Sequence, residues 1–278
     1  MNQSFTIKCI IWTSILAIKC TALSPILSSN AIHHPIQANN GMVASQEAIA
    51  TNIGIDILKQ GGNAIDAAVA VGFALAVTLP QAGNLGGGGF MMIYIASENR
   101  TIALDFRESA PSGASKDMFL DANGDVDTTK SRFSIQSSGT PGSVHGLLTA
   151  LETYGTQSRK QVISPAIKLA KKGFNVSPHL HQSLKRAQPR LSKQPYIASI
   201  FYPNNDIPKP NTILKQRDLS QTLTLIMKNG KNGFYSGKIA EKIHNFMQNN
   251  NGLITKKDLR KYKSIERIPV HFNYRNHD

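Results

Sequence analysis

Cysteine is almost missing from this chain of 278 residues, and its placement removes thiol chemistry from most of the molecule. The two present, Cys9 and Cys20, both fall within the first twenty residues. A disulfide framework, a cysteine-ligated zinc site and a thiol nucleophile are therefore excluded from the remainder. Acidic residues are scarce: 17 Asp and Glu stand against 31 Lys and Arg, a net charge of +14. Charged residues make up only 17% of the chain while hydrophobic ones make up 41%, which excludes a disordered or fibrous class. No Gly-Lys-Ser/Thr phosphate loop, no metal-ligand spacing and no Ser-His-Asp arrangement can be read. No cofactor and no metal is expected.

What is present begins with an export signal. Lys8 gives a positive start, Cys9 to Ile18 is a ten-residue, largely apolar run, and Thr21, Ala22 and Ser24 offer small residues for cleavage. The run is too short to cross a bilayer, so residues 1–24 read as a signal peptide and the mature chain as lacking a membrane span. The expected location is exported, either periplasmic or secreted. Lys8 and Lys19 carry two of the net charges, leaving +12 after cleavage. Residues 25–40 read as a linker. Its His33-His34 pair has no third ligand nearby and reads as part of a loop. Residues 156–195 hold nine Lys and Arg and no acid. Phe174 is the only aromatic among them, so this run reads as a solvated basic face with no nucleic-acid partner. An anionic-surface-binding module is the alternative.

From Ser45 the pattern is helical, with Ile49, Ile53, Ile57 and Leu58 in phase and Gly61-Gly62 as the stop. A second helix runs from Asn63 or Ala64 to Pro80 and is apolar almost all round, as in a helix buried on every side. After the glycines of 83–89, Phe90–Ala96 and Thr101–Phe106 read as a hairpin turning at Ser97–Arg100. Asn123-Gly124 marks a polar turn, and a helix follows Ser138–Gly142 through Tyr154. Helices are then predicted at Ser164–Lys172, Pro178–Arg186, Asp218–Asn229, Gly237–Gln248 and Thr255–Tyr262, with a Pro-rich loop over Gln194–Pro210. The class is mixed α/β (α+β), one hairpin among helices.

Two segments could carry chemistry. The glycine run lets backbone approach backbone or aims N–H groups at a ligand oxygen. It enters a strand and opens no helix, so tight packing explains it as well. The second is Asp105-Phe106-Arg107-Glu108-Ser109-Ala110-Pro111. Arg107 at a strand end can grip a carboxylate through two parallel hydrogen bonds. Asp105 and Glu108 offer the alternative of a local ion pair, and the residues alone leave both open. His145 and His244 read as packed or surface histidines.

Several segments together resemble the γ-glutamyltranspeptidases, or glutathione hydrolases. They are Gly61–Ala70, Gly83–Met91, Asp105–Glu108 with Ala110-Pro111, and Ser138–Gly142. Gly252–Thr255, Asp258-Leu259, Tyr262 and Glu266-Arg267 with Pro269 extend the likeness, which spans Gly41–Arg275. The resemblance implies an N-terminal-nucleophile hydrolase fold, an α-β-β-α sandwich, autoprocessed into large and small subunits. It implies a threonine nucleophile at the start of the small subunit, with its own amino group as base. It implies γ-glutamyl substrates such as glutathione, and it makes Arg107 the residue that binds the substrate α-carboxylate. Residues 41–278 resemble only the large-subunit part. The processing Thr-Thr-His segment and the glycine pair of the oxyanion hole are not found; Thr128-Thr129-Lys130 reads as an echo in a polar turn. The sandwich is therefore expected to be incomplete, no catalytic nucleophile is assigned, and the chain alone is expected to be inactive. The expectation is a truncated enzyme chain, and the alternative is half of a split enzyme that a separately encoded small subunit completes.

Overall fold

The computed structural model describes residues 36–277. The signal segment, both cysteines, the His33-His34 pair and the front of the linker lie outside the described residues. The chain divides into residues 1–40 and a body of residues 41–278.

The body opens with α1 (Ala48–Lys59), whose N-terminus is capped by Glu47 accepting from Ala50 N at 2.9 Å. Next, α2 (Ala64–Thr78) starts with a capping box. Asn63 Oδ1 accepts from Ile65 N and Asp66 N, and Asp66 accepts from Asn63 N. Asp66 is fully buried and also accepts from Thr156 N, Thr156 Oγ1 and Gln157 N at 2.7–3.1 Å. Asn63 Nδ2 donates to Tyr154 O at 2.7 Å. The Gly61–Ala70 motif thus clamps the start of α2 to the end of a later helix, which explains a buried carboxylate without catalysis. The expectation that α2 is buried on every side needs correcting. Ala64 and Ala68 are exposed, while Val69, Phe73 and Val77 are fully buried. Only alanine is left open, so little apolar area meets water there.

Strands β1 (Phe90–Ile95) and β2 (Arg100–Asp105) form the hairpin, in register Phe90↔Asp105 to Ile95↔Arg100. A 3₁₀ turn at Ala96–Glu98 and a left-handed Asn99 close it. Three helices follow: α3 (Thr128–Phe133), α4 (Ser143–Tyr154) and α5 (Arg159–Lys172). Thr128-Thr129-Lys130 is the first turn of α3, with Asp127 as cap, and not a simple turn. The Ser158/Gln161 capping box starts α5 well before Ser164. Short β3 (Phe174–Asn175) leads to α6 (Pro178–Leu191), which runs beyond Arg186 through Pro189. The expected Pro-rich loop contains α7 (Pro195–Phe201), with Pro195 at the first helical position where no N–H is required. Tyr202 behind it is buried and donates to Leu184 O of α6. The chain continues with β4 (Ile213–Leu214), α8 (Arg217–Asn229), α9 (Asn232–Tyr235), α10 (Gly237–Asn249), α11 (Lys256–Lys261) and β5 (Ile265–Arg267).

The hairpin does not stand alone. β5 adds to β2 to make the sheet β1-β2-β5, and β3 pairs separately with β4. Ile93, Ile102 and Leu104 on one sheet face join a core with Phe73, Leu148, Ile163 and Leu223 of the helices. The opposite face is open among the described residues: Phe90 is 66%, Met92 62% and Tyr94 62% exposed. The three-stranded sheet is backed by helices, the α-β part of the expected sandwich.

Candidate functional site

Arg107 sits just past β2, and four of the motif segments meet around its backbone. The ladder runs one step beyond the strands: Phe106 N donates to Gly89 O at 3.0 Å and Gly89 N to Phe106 O at 3.3 Å. Gly88 lies so close that a methyl group there would stand 2.6 Å from Phe106 O and 2.7 Å from Glu108 N. Gly87 O accepts from both Gly142 N and Ser143 N, at 2.7 and 2.9 Å, which fastens the glycine run to the start of α4. Ser109 and Thr140 exchange both backbone hydrogen bonds. The Phe106 ring is buried against Gly146, and the Phe106 carbonyl against Gly142. Both of the close-packing glycine segments therefore serve backbone contact.

A second layer comes from the far end of the chain. Tyr262 Oη donates to Arg107 O at 2.8 Å. Its ring stacks on Tyr235, with centroids 5.7 Å apart and planes 8° from parallel. Tyr235 Oη in turn donates to Pro141 O and accepts from His145 N. Burial pushes the Tyr262 hydroxyl up to about 12, helped by the charges of Asp105 and Glu108, so it stays a donor. Asp258 Oδ1 accepts from Ser112 N at 2.9 Å. Burial works against the Asp258 carboxylate, but hydrogen bonds from Thr255 and Ser112 outweigh it and hold the group at about 2.

The Arg107 side chain is exposed, and among the described residues its guanidinium makes no ion pair or hydrogen bond. Asp105 is already committed. It accepts from the Arg107 backbone N–H at 3.0 Å and from Arg267 Nε of β5 at 2.7 Å, and these two contacts lower its pKa in that order. The local ion pair that the sequence left open is therefore not made. The arrangement can offer two parallel N–H donors to an anion from a backbone held on three sides.

The histidines play other parts. His145 Nδ1 is 2.9 Å from Ser264 Oγ and also accepts from Ser264 N at 3.2 Å, so the pair pins β5's approach to α4. Burial, then the Lys231 charge, lowers His145 to about 4. No carboxylate bonds its other nitrogen among the described residues, so this is no catalytic triad. Nor do three or more His, Cys, Asp or Glu side chains gather into a metal-binding group among the described residues. The 156–195 cations lie on α5, α6 and the turns beside them. Lys160, Lys168, Lys171, Lys172, Lys185, Arg186, Arg190 and Lys193 are exposed, and Arg190 lies over the Phe133 ring at 5.0 Å. No helix of the described residues is long and apolar enough to cross a membrane.

Known proteins share this frame. A γ-glutamyltranspeptidase from Helicobacter pylori superposes with a TM-score of 0.84 at 43% identity, over 87% of this chain and 70% of that one. Its counterpart from Pseudomonas nitroreducens, complexed with L-DON, gives 0.80 at 35% identity, over 87% of this chain and 70% of that one. The fold class is that of the N-terminal-nucleophile hydrolases, with part of the α/β sandwich present. Residues 50–278 match the Gamma-glutamyltranspeptidase family. The glutathione hydrolase proenzyme of Escherichia coli (strain K12) is 50% identical over 247 residues, 88% of this chain and 42% of that protein. The glutathione hydrolase proenzyme of Bacillus subtilis (strain 168) is 42% identical over 239 residues, 86% of this chain and 40% of that protein. The chain belongs to the γ-glutamyltranspeptidase family, and it spans less than half the length of these two curated relatives.

Proposed function

We propose that this chain is the substrate-holding part of an exported enzyme that transfers γ-glutamyl groups from compounds such as glutathione to water or amino acids. The observation that carries this is Arg107: an exposed guanidinium, unpaired among the described residues, on a strand end that three segments hold in place. In this reading it grips the substrate α-carboxylate and so orients the γ-amide for attack. The attacking threonine and the oxyanion donors come from polypeptide outside these residues, either continuous with the chain or separately encoded. That polypeptide covers the open sheet face of Phe90, Met92 and Tyr94. Each such side chain gains about 1.5–3 kcal/mol on full burial, so covering three that are roughly two-thirds exposed favours association by ~3–6 kcal/mol.

The test is hydrolysis of a γ-glutamyl anilide by the purified chain, alone and with a polypeptide that begins at the family's threonine. No turnover is expected from the chain alone. Turnover is expected in the mixture, and Arg107→Ala should lower its kcat/KM by ~10²–10³, the equivalent of removing a paired charge contact of about 3–4 kcal/mol. Turnover by the chain alone that Arg107→Ala abolishes would overturn the two-part reading.

A further inference from the structure

A second concave site lies away from Arg107. Helices α5 and α8 pack side by side, and with the start of α10 they border an open groove of about 780 Å³. That volume is in the range of small-molecule sites, ~300–1,000 Å³. Four cations line it: Lys171 of α5, Arg217 and Lys228 of α8, and Lys238 of α10. No carboxylate is among the lining residues, and none of the four cations forms an ion pair among the described residues. Only Lys171 belongs to the basic run of 156–195; folding brings the others from more than 40 residues away.

Helix stability accounts for two of the four. Lys171 and Lys228 are in the last turns of α5 and α8, where a cation meets the negative end of the helix dipole. Arg217 and Lys238 are the reverse case. Arg217 is the first residue of α8 and Lys238 the second of α10, positions where a cation opposes the dipole. Neither helix has a side-chain cap at that end. Asp218 in the first turn of α8 already offsets the conflict there, whereas the first turn of α10 holds no acid, so an anion in the groove would relieve the conflict at Lys238. The hydroxyls narrow the ligand. Ser220 and Thr224 already donate to Arg217 O and Ser220 O, so they can only accept. The donors left are the four cations and the Gln221 amide. Ile167 and Leu225 form the apolar part of the lining, and no aromatic ring lines the groove, so nothing there stacks on a base.

We propose that this groove binds a small anion rich in phosphate groups, independently of the γ-glutamyl site. The probe is inorganic tripolyphosphate, titrated calorimetrically into the purified chain at low and at physiological salt. Saturable one-to-one binding is expected. Arg217→Gln with Lys238→Gln should weaken it at least tenfold. A control pair outside the groove, Lys160→Gln with Lys185→Gln, removes the same charge and should weaken it less than threefold. Circular dichroism checks that both variants keep their helices; all four positions are exposed. A parallel arm uses vesicles containing an anionic phospholipid. Absence of saturable binding overturns the proposal, as does equal weakening by the control pair, which would signal attraction to net charge alone. Vesicle capture lost with Arg217→Gln and Lys238→Gln, without tripolyphosphate binding, also overturns it in favour of a lipid headgroup.

Discussion

Removing one oxygen from Tyr262 tests how the Arg107 frame is held. In Tyr262→Phe the ring remains stacked on Tyr235 at 5.7 Å, and only the 2.8 Å hydrogen bond to Arg107 O is lost. Arg107 is exposed, so water can reach the freed carbonyl, and the net cost is about 1 kcal/mol. For a chain of this size that lowers the Tm by about 2–4 °C. Tyr262→Ala also discards a buried ring and its stack, which costs about 3–5 kcal/mol. The ratio between the two variants is the diagnostic, because the shared backbone context cancels. Thermal unfolding followed by circular dichroism gives the stabilities. Amide exchange at residues 106–109 reports whether the Arg107 segment loosens, and it should quicken in Tyr262→Phe while exchange in α5 stays unchanged. If Tyr262→Phe leaves both the Tm and this local exchange at their starting values, the hydroxyl does not hold Arg107. If it is as damaging as Tyr262→Ala, the ring's packing and not the hydrogen bond is what matters.

Gly142→Ala drives a methyl group into the Phe106 carbonyl and the Tyr262 hydroxyl. The first is backbone and cannot swing aside, so the loss should exceed ~3 kcal/mol, read as soluble yield and Tm. The Thr140 hydroxyl is buried without a partner among the described residues. Thr140→Val should therefore raise stability by about 1 kcal/mol in a urea titration, and a loss of that size would mean the hydroxyl has a partner. His145 is lowered from 6.5 to about 4 in the folded state. The unfolded chain binds the proton more readily, so this contribution is complete above pH 6.5 and is lost as pH falls towards 4. At about 1.4 kcal/mol per unit its ceiling is ~3 kcal/mol, nearer ~1–2 for a half-buried ring. His145→Gln should flatten the stability curve in that window, measured by urea midpoints from pH 7 to 4. Met92→Lys with Tyr94→Lys should leave the chain folded, because both side chains point away from the core, yet abolish association with the proposed complementing polypeptide in a pull-down.

The elements read most accurately from sequence were those with local signals. Asn63 and Asp66 announce the start of α2, and the turn at Ser97–Arg100 announces the hairpin. Proline misled where tertiary packing overrode it. Pro189 sits inside α6, and Pro195 begins a helix in a segment that reads as loop. β5 has no alternating pattern because all three of its residues are exposed; it exists through pairing with the β2 edge. Arg107 was legible as a residue type at a strand end, and its proposed grip on a substrate carboxylate came from the resemblance alone. The bond from Tyr262 joins positions 155 residues apart, and no spacing rule reaches that far.

Two arginines lie near Asp105, and only one of them makes an ion pair with it. Arg267 arrives on β5 and takes the carboxylate through Nε at 2.7 Å. Arg107 is only two residues from Asp105, yet hydrogen-bonds it through its backbone N–H alone, and its guanidinium acts on the carboxylate only through its charge. Its carbonyl goes to Tyr262. Both main-chain groups of Arg107 are thus spent on the fold, while the side chain is left to solvent. An arginine kept for stability would be expected to use its five donors on the nearby acids. Here the acid is paired with another residue, Arg267, brought from the far end of the chain. Asp105 is paired with Arg267 and makes no ion pair with Arg107, which leaves one exposed guanidinium beside a held backbone, as the proposed grip on a substrate carboxylate requires.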